Sequence, residues 1–217
     1  MYVPHPSLRL QQLFQAKPYQ GARPEDAEFI FIGLDANYAP NLERMPLFHQ
    51  VEEYHEDGVA FWQRYHKHHP FLLGDYQGDG RWYHYNFAKI DLQPQDARRI
   101  CFIEMLHVPT CGTRKLEAGD LDADHMKRLD ALITSGRRRR VFVPSSVAQL
   151  MRDSRRFSWL GGRPPSGEVL PVLYAAGETR VHQHLHFSNW GTYQSRMTAE
   201  AVAIGNLVKA ARAPATK

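Results

Sequence analysis

Glu28-Phe29-Ile30-Phe31-Ile32-Gly33-Leu34-Asp35 is the stretch from which the fold is read. Four consecutive apolar residues with no polar alternation describe a strand covered on both faces, the habit of parallel sheets held between helices. The run stops at Gly33, and Asp35 stands at what reads as the strand's carboxyl end. Two further runs repeat the pattern: Ile100-Cys101-Phe102-Ile103, with Glu104 at its end, and Arg140-Val141-Phe142-Val143. Late in the chain, residues 169–174 and 179–185 are strand-like runs joined at Ala176-Gly177, the second alternating enough to leave one wetter face.

Helical periodicity fills the intervals. Residues 6–16 form an amphipathic segment with Pro6 at its first position, and residues 122–133 form another that begins at Asp122 or Asp124. Ser145 or Ser146 caps a helix carrying Val147, Leu150 and Met151, and residues 194–211 make a final Ala-rich helix. Between 41 and 69 the spacing gives two helices broken near Asp57-Gly58 and closed by Pro70. A glycine-containing loop then leads into Trp82-Tyr83-His84-Tyr85-Asn86-Phe87. Strands alternating with helices predict an α/β fold, a three-layer α/β/α sandwich on a mostly parallel central sheet. We read one domain over 1–217, with a helical, aromatic insertion at about 41–80 and a frayed tail from about 212.

Composition narrows the class. At 43% hydrophobic, 217 residues hold enough apolar material for a core without covalent staples. Two cysteines, Cys101 and Cys111, are too few for a four-thiolate cluster or a closed zinc site, and are read as small buried hydrophobes. The amino-terminal stretch has no basic segment followed by an apolar one, and no apolar run reaches the roughly 18–20 residues that cross a bilayer. The expectation is therefore a cytoplasmic monomer with no membrane partner and no cofactor. Net charge is +4, and Arg137 to Arg140 form one basic block, followed by Arg152, Arg155, Arg156 and Arg163. Such runs suit either a solvated face or a polyanionic partner. His66, His68 and His69, beside Pro70, are expected at a solvated helix end.

In a parallel sheet the carboxyl ends of the strands share one edge, where ligands bind. Three polar groups fall there: Gly33-Leu34-Asp35-Ala36-Asn37-Tyr38, Glu104 with His107, and His186-Phe187-Ser188-Asn189-Trp190. A G-x-D motif after the first buried strand and an H-x-S motif late in the chain resemble the two signature motifs of the uracil-DNA glycosylase superfamily, usually written G-Q-D-P-Y-H and H-P-S-P. The order holds over roughly residues 29–194, with residues 100–110 similar to that family's middle strand and 140–150 to its third strand and following helix.

The resemblance implies that Asp35 positions water at the sugar carbon and that His186 stabilises negative charge on the departing base. It implies base contacts from Glu104, Asn37 and Tyr38, and DNA contacts from Ser188, Asn189, Trp190, Ser145 and Ser146. Phe87 is the candidate aromatic face on which an extruded base stacks. The chain departs from the pattern at Ala36-Asn37-Tyr38, where the tyrosine is shifted by one residue, at Glu104, where the family has a base-reading asparagine, and at Phe187 and Asn189, where prolines are usual. Trp190 stands where a wedge into the duplex would begin. Two other readings stay open: a metal-dependent hydrolase built on His182-x-His184-x-His186, and a catalytically silent nucleic-acid-binding member of the fold.

Overall fold

A computed structural model describes residues 2–74, 76–78, 80–112, 115–189 and 191–212. Its strands are β1 (Tyr19–Gly21), β2 (Phe29–Asn37), β3 (Ile100–Thr110), β4 (Arg139–Pro144), β5 (Val172–Ala176) and β6 (Thr179–His184). They form one sheet in the order β1-β3-β2-β4-β6-β5. The central four are parallel, as the continuous apolar runs require, and the two edge strands are antiparallel.

The helices are α1 (Leu8–Ala16), α2 (Phe48–Glu56), α3 (Gly58–Tyr65), α4 (Arg81–Phe87), α5 (Ala123–Thr134), α6 (Ser145–Asp153) and α7 (Gln194–Ala210). On one face of the sheet, α5 and α6 bury Met126, Leu129, Ile133, Val147 and Met151 against Ile30, Ile32, Ile103 and Val141. On the other, Trp62 of α3, Phe87 of α4 and Ile204 of α7 pack over Phe29, Phe31, Ile100 and Phe142. A third cluster joins α1 and α2 through Leu10, Phe14, Val51 and Tyr38. Among the described residues no helix is long and apolar enough to cross a membrane.

Cross-strand register builds a row of stacked rings over the second face. His182 stacks on Phe142, Phe142 on Phe31 and Phe31 on Phe102, with centroids 5.6, 4.9 and 5.6 Å apart. These pairs are direct neighbours in the sheet, so ring contact and strand pairing reinforce one another.

Asp57 joins two helices in the aromatic segment. It ends α2 and caps α3 by accepting hydrogen bonds from Val59 N at 3.1 Å and Ala60 N at 2.9 Å. Gly58 follows because a Cβ there would lie 2.8 Å from Gly21 N of β1, too close for any side chain.

Several expectations are corrected. β3 continues six residues past Glu104, because the amino-terminal segment pairs with its far end through His5 N to the Pro109 carbonyl and Cys111 N to the Val3 carbonyl. Glu104 is therefore inside a strand. Ser145 and Ser146 are the first residues of α6; Pro144 holds the N-cap position and no side chain caps this helix. Leu8, not Pro6, begins α1, and Ser7 caps it by accepting from Leu10 N. Cys101 is buried, but Cys111 is half-exposed.

His68 and His69 are buried instead of solvated. His69 stacks on His84 at 3.5 Å, and His68 Nε2 meets His84 Nδ1 at 3.2 Å. The arginine block lies where β4 begins, at the sheet edge away from the strands' carboxyl ends. Arg139 is buried there and donates to the Leu132 and Glu25 carbonyls, so it ties chain segments together. Asp75 and Asp79 of the glycine-containing loop, and residues 213–217 of the expected tail, lie outside the described residues.

Candidate active site

The chain runs from β2 to its neighbour β3 on one side, then crosses to β4 on the other. In open α/β sheets such a reversal marks the edge where ligands bind, here beyond the carboxyl ends of β2 and β4. Three elements bring chemistry to it.

Asp35 is the seventh residue of β2 and pairs with Leu106 of β3. Immediately beyond, β3 bulges, so that Asn37 of β2 is opposite Thr110. The bulge turns the Thr110 hydroxyl onto Asp35 Oδ2, to which it donates. Asn37 Nδ2 donates in turn to Thr110 Oγ1 at 3.4 Å and to the Gly112 carbonyl. The amide that could read a base is thus spent on holding the threonine, and Asn37 supports Asp35 through that hydroxyl.

Glu104 lies directly across from Gly33 in the parallel register. A Cβ on residue 33 would come within 2.0 Å of Glu104 Oε2, so the glycine of the G-x-D motif is the space the carboxyl occupies. Glu104 keeps some accessible surface. Burial, reinforced by the negative charge of Asp35, pushes its pKa up to about 8. At neutral pH it is mostly protonated and offers one donor and one acceptor, where an ionised carboxylate only accepts.

His186 follows β6 in a tight turn closed by Asn189 N donating to the His186 carbonyl at 2.9 Å. Ser188 N donates to His186 Nδ1 at 3.2 Å, and the Ser188 hydroxyl reaches the same nitrogen. A backbone N–H can only donate, so Nδ1 is the bare nitrogen and the neutral ring carries its proton on Nε2. Burial holds the His186 pKa down while Asp35 pulls it back, which brings Asp35 within electrostatic reach of both Glu104 and His186.

Two contacts pin the chain around His186. Glu200 of α7, fully buried, accepts from Leu185 N at 2.6 Å and pairs with Arg196 at 2.9 Å. Asn86 of α4 donates to the Phe187 carbonyl at 2.7 Å. Tyr83, one helical turn earlier on α4, places its ring 5.1 Å from that of His186 and close enough to Glu104 for the carboxyl's charge to raise its pKa.

Other expected site residues are elsewhere. Phe87 is 1% exposed, wedged among Phe31, Phe102, His68 and Phe187, so neither ring face is open to a base. Tyr38 is buried in the α1–α2 cluster with its hydroxyl 3.1 Å from His55 Nε2. Ser145 and Ser146 are exposed at the start of α6, directly after β4. Trp190 lies outside the described residues.

The three alternating histidines do not converge as metal ligands. His182 Nδ1 donates to the Leu170 carbonyl at 3.3 Å and His184 Nδ1 to the Leu185 carbonyl at 2.7 Å, while His186 Nδ1 faces Ser188. Among the described residues no three His, Cys, Asp or Glu side chains are grouped to hold a metal ion.

Sequence reasoning missed Tyr83, Asn86, Thr110 and Glu200. Only Glu200 left a signal, as an acid on the apolar stripe of Met197, Ala201, Ile204 and Val208. Compared with known proteins, the chain matches no family model and no curated sequence.

Proposed function

We propose that the chain is a DNA N-glycosylase of uracil-DNA-glycosylase-like fold, hydrolysing the bond between a sugar and a damaged, deaminated or modified base turned out of the helix. One observation carries the reading. A threonine-anchored carboxyl and an imidazole with its proton on Nε2 lie at one sheet edge, close enough for the first to act on the second.

Cleavage of an N-glycosidic bond leaves positive charge on the sugar carbon and negative charge on the base as the bonding pair departs with nitrogen. Thr110 occupies Asp35 Oδ2, so Oδ1 is left to accept from a water molecule and to face the cationic sugar. His186 donates from Nε2 to an oxygen of the departing base, where the charge gathers, and remains neutral because its Nδ1 already accepts from Ser188. Water oxygen adds to the sugar carbon, and its proton leaves to solvent or to the base.

The hydroxyls and first N–H groups at Ser145 and Ser146 suit a phosphate of the flanking strand, as does the hydroxyl of Ser188. No such anchor comes from the Arg137–Arg140 block, at the opposite edge. The test is an abasic-site assay on oligonucleotides, single- and double-stranded, carrying uracil, hypoxanthine, xanthine or alkylated bases. Strand scission after alkali with at least one of them is expected. Salt-dependent binding with no abasic product from any base would overturn catalysis and leave a silent binder.

A further inference from the structure

Between the end of α3 and the outer side of α4 lies a cavity of about 580 Å³, apart from Asp35, Glu104 and His186. Its size is that of a small-molecule site, roughly 300–1,000 Å³. Resting on the reading above for the identity of the polymer, we infer that it holds one nucleotide of a single DNA strand, the base against Tyr85 and the phosphate at Lys67 and Lys89.

Helical spacing gives α4 two different faces. Tyr83 and Asn86, three residues apart, address the His186 turn through the ring contact and the bond to the Phe187 carbonyl. Trp82 and Tyr85, also three residues apart, point away from it and are 72% and 55% exposed. Their rings meet edge to face with centroids 5.6 Å apart, and Tyr85 borders the cavity. Two large rings thus stand open to solvent beside a concave wall that includes buried Trp62.

The cavity is cationic. Lys67, Arg81 and Lys89 line it against one acid among the described residues, Asp91, which Lys209 neutralises at 2.9 Å. Lys67 is exposed and has no hydrogen-bond or ion-pair partner among the described residues. Lys89 Nζ lies 5.8 Å from the centre of the Tyr85 ring, so cation and ring address the same occupant. An acidic peptide would use the cations and leave the rings idle, whereas a nucleotide uses both, its base on the ring and its phosphate on the ammonium. Bases in a duplex are stacked on one another, so only an unpaired one presents its face to Tyr85.

Asn86 connects this cavity with the site. Its Oδ1 accepts from Lys89 Nζ at 2.8 Å, while its Nδ2 donates to the Phe187 carbonyl, next to His186, at 2.7 Å. One strand therefore spans α4, a helix about 10–12 Å across with its side chains, with the target base at His186 and a neighbouring nucleotide in the cavity.

The test is fluorescence anisotropy of the full chain with a labelled oligothymidylate of about 12 nucleotides, within the site sizes of single-strand binders. The same sequence as a duplex, and a strand of abasic sugar-phosphate units, serve as comparisons. The single strand should bind at least about fivefold more tightly than either, the effect of one stacked base. Tyr85→Ala should remove that advantage over the abasic strand, which a change in charge does not do, and Tyr85→Phe, which keeps the ring, should restore it. Lys67→Gln should flatten the dependence of log affinity on log salt by about 0.7, one phosphate contact on a single strand. Duplex bound as tightly as single strand, wild-type affinity in Tyr85→Ala, or an unchanged salt slope in Lys67→Gln would overturn the proposal. So would polyglutamate bound as tightly as oligothymidylate, which marks a site for an acidic peptide. Single-strand binding that needs Tyr85, with no abasic product from any base, supports the cavity's role and removes the hydrolase. Abasic product formed at a rate and affinity unchanged by Tyr85→Ala does the reverse.

Discussion

Mild acid should unfold this protein. Burial drives the pKa values of His55, His68 and His184 down to about 3, and holds His69 and His84 well below the ordinary histidine value. All five are neutral in the fold and free to protonate once the chain opens. The unfolded state therefore binds more protons below the ordinary histidine pKa, and stability, complete above about pH 6.5, is lost as pH falls.

Each such histidine contributes a slope of about 1.4 kcal/mol per pH unit, or about 2 kcal/mol between pH 6.5 and 5. His55, His68 and His184 alone account for about 6 kcal/mol over that interval, and the stacked pair His69 and His84 raise it to about 10, against a total of about 5–15 for an ordinary domain. Cooperative unfolding centred near pH 5 is the expected outcome. Urea titrations at half-unit steps from pH 7 to 5, followed by tryptophan fluorescence and far-ultraviolet circular dichroism, read it directly as a falling midpoint at constant m. A midpoint that moved by less than one histidine's worth across that range would refute the argument, because it would mean the imidazoles are protonated, or wet, in the native state.

Three further outcomes bear on the site. Asp35→Asn and His186→Ala should each lower turnover on the true substrate by at least ~100-fold while leaving the urea midpoint at pH 7 nearly unchanged, and wild-type rates in both would remove their assigned roles. Glu200→Ala leaves Leu185 N and Arg196 without their buried partner and should cost about 3 kcal/mol, with turnover falling further than stability explains because His186 loses its support; full activity in the folded variant would show that the turn holds without it. Gly33→Ala places a methyl on the Glu104 carboxyl, which is the movable end of a long side chain, so melting should shift by only a few degrees while turnover drops about tenfold or more; unchanged turnover would mean the position of that carboxyl does not matter to the site.

The central strands were legible because a strand buried on both faces needs an unbroken apolar run, and Phe29 to Ile32, Ile100 to Ile103 and Val141 to Val143 supply it. β1 was not, since Tyr19-Gln20-Gly21 is too short to carry a pattern and is fixed only by pairing with β3. The length of β3 was hidden for a related reason: its last residues are held by the amino-terminal segment, a long-range partner that local composition does not announce. Asp35, Glu104 and His186 could be placed together because parallel strands bring their carboxyl ends to one edge. Phe87 could not be told from a surface aromatic, because α4 is short and its buried residues, Asn86 and Phe87, are adjacent instead of periodic. His68 and His69 looked like solvated residues near a proline, and only their stacking with His84 across the aromatic segment buries them.

The row of rings across the sheet serves as a common datum for the chemistry beyond it. Asp35 comes four residues after Phe31 along β2, so it emerges on the side of the rings, while His186, four after His182, comes off the turn that follows β6. Glu104 and Gly33 stand two residues past Phe102 and Phe31, one step nearer the floor. Inserting a single residue between rung and reactive group, on β2 or β3, would leave the ring stack intact yet turn that group to the opposite face. The spacing of these segments should thus tolerate changes of residue type far better than changes of length.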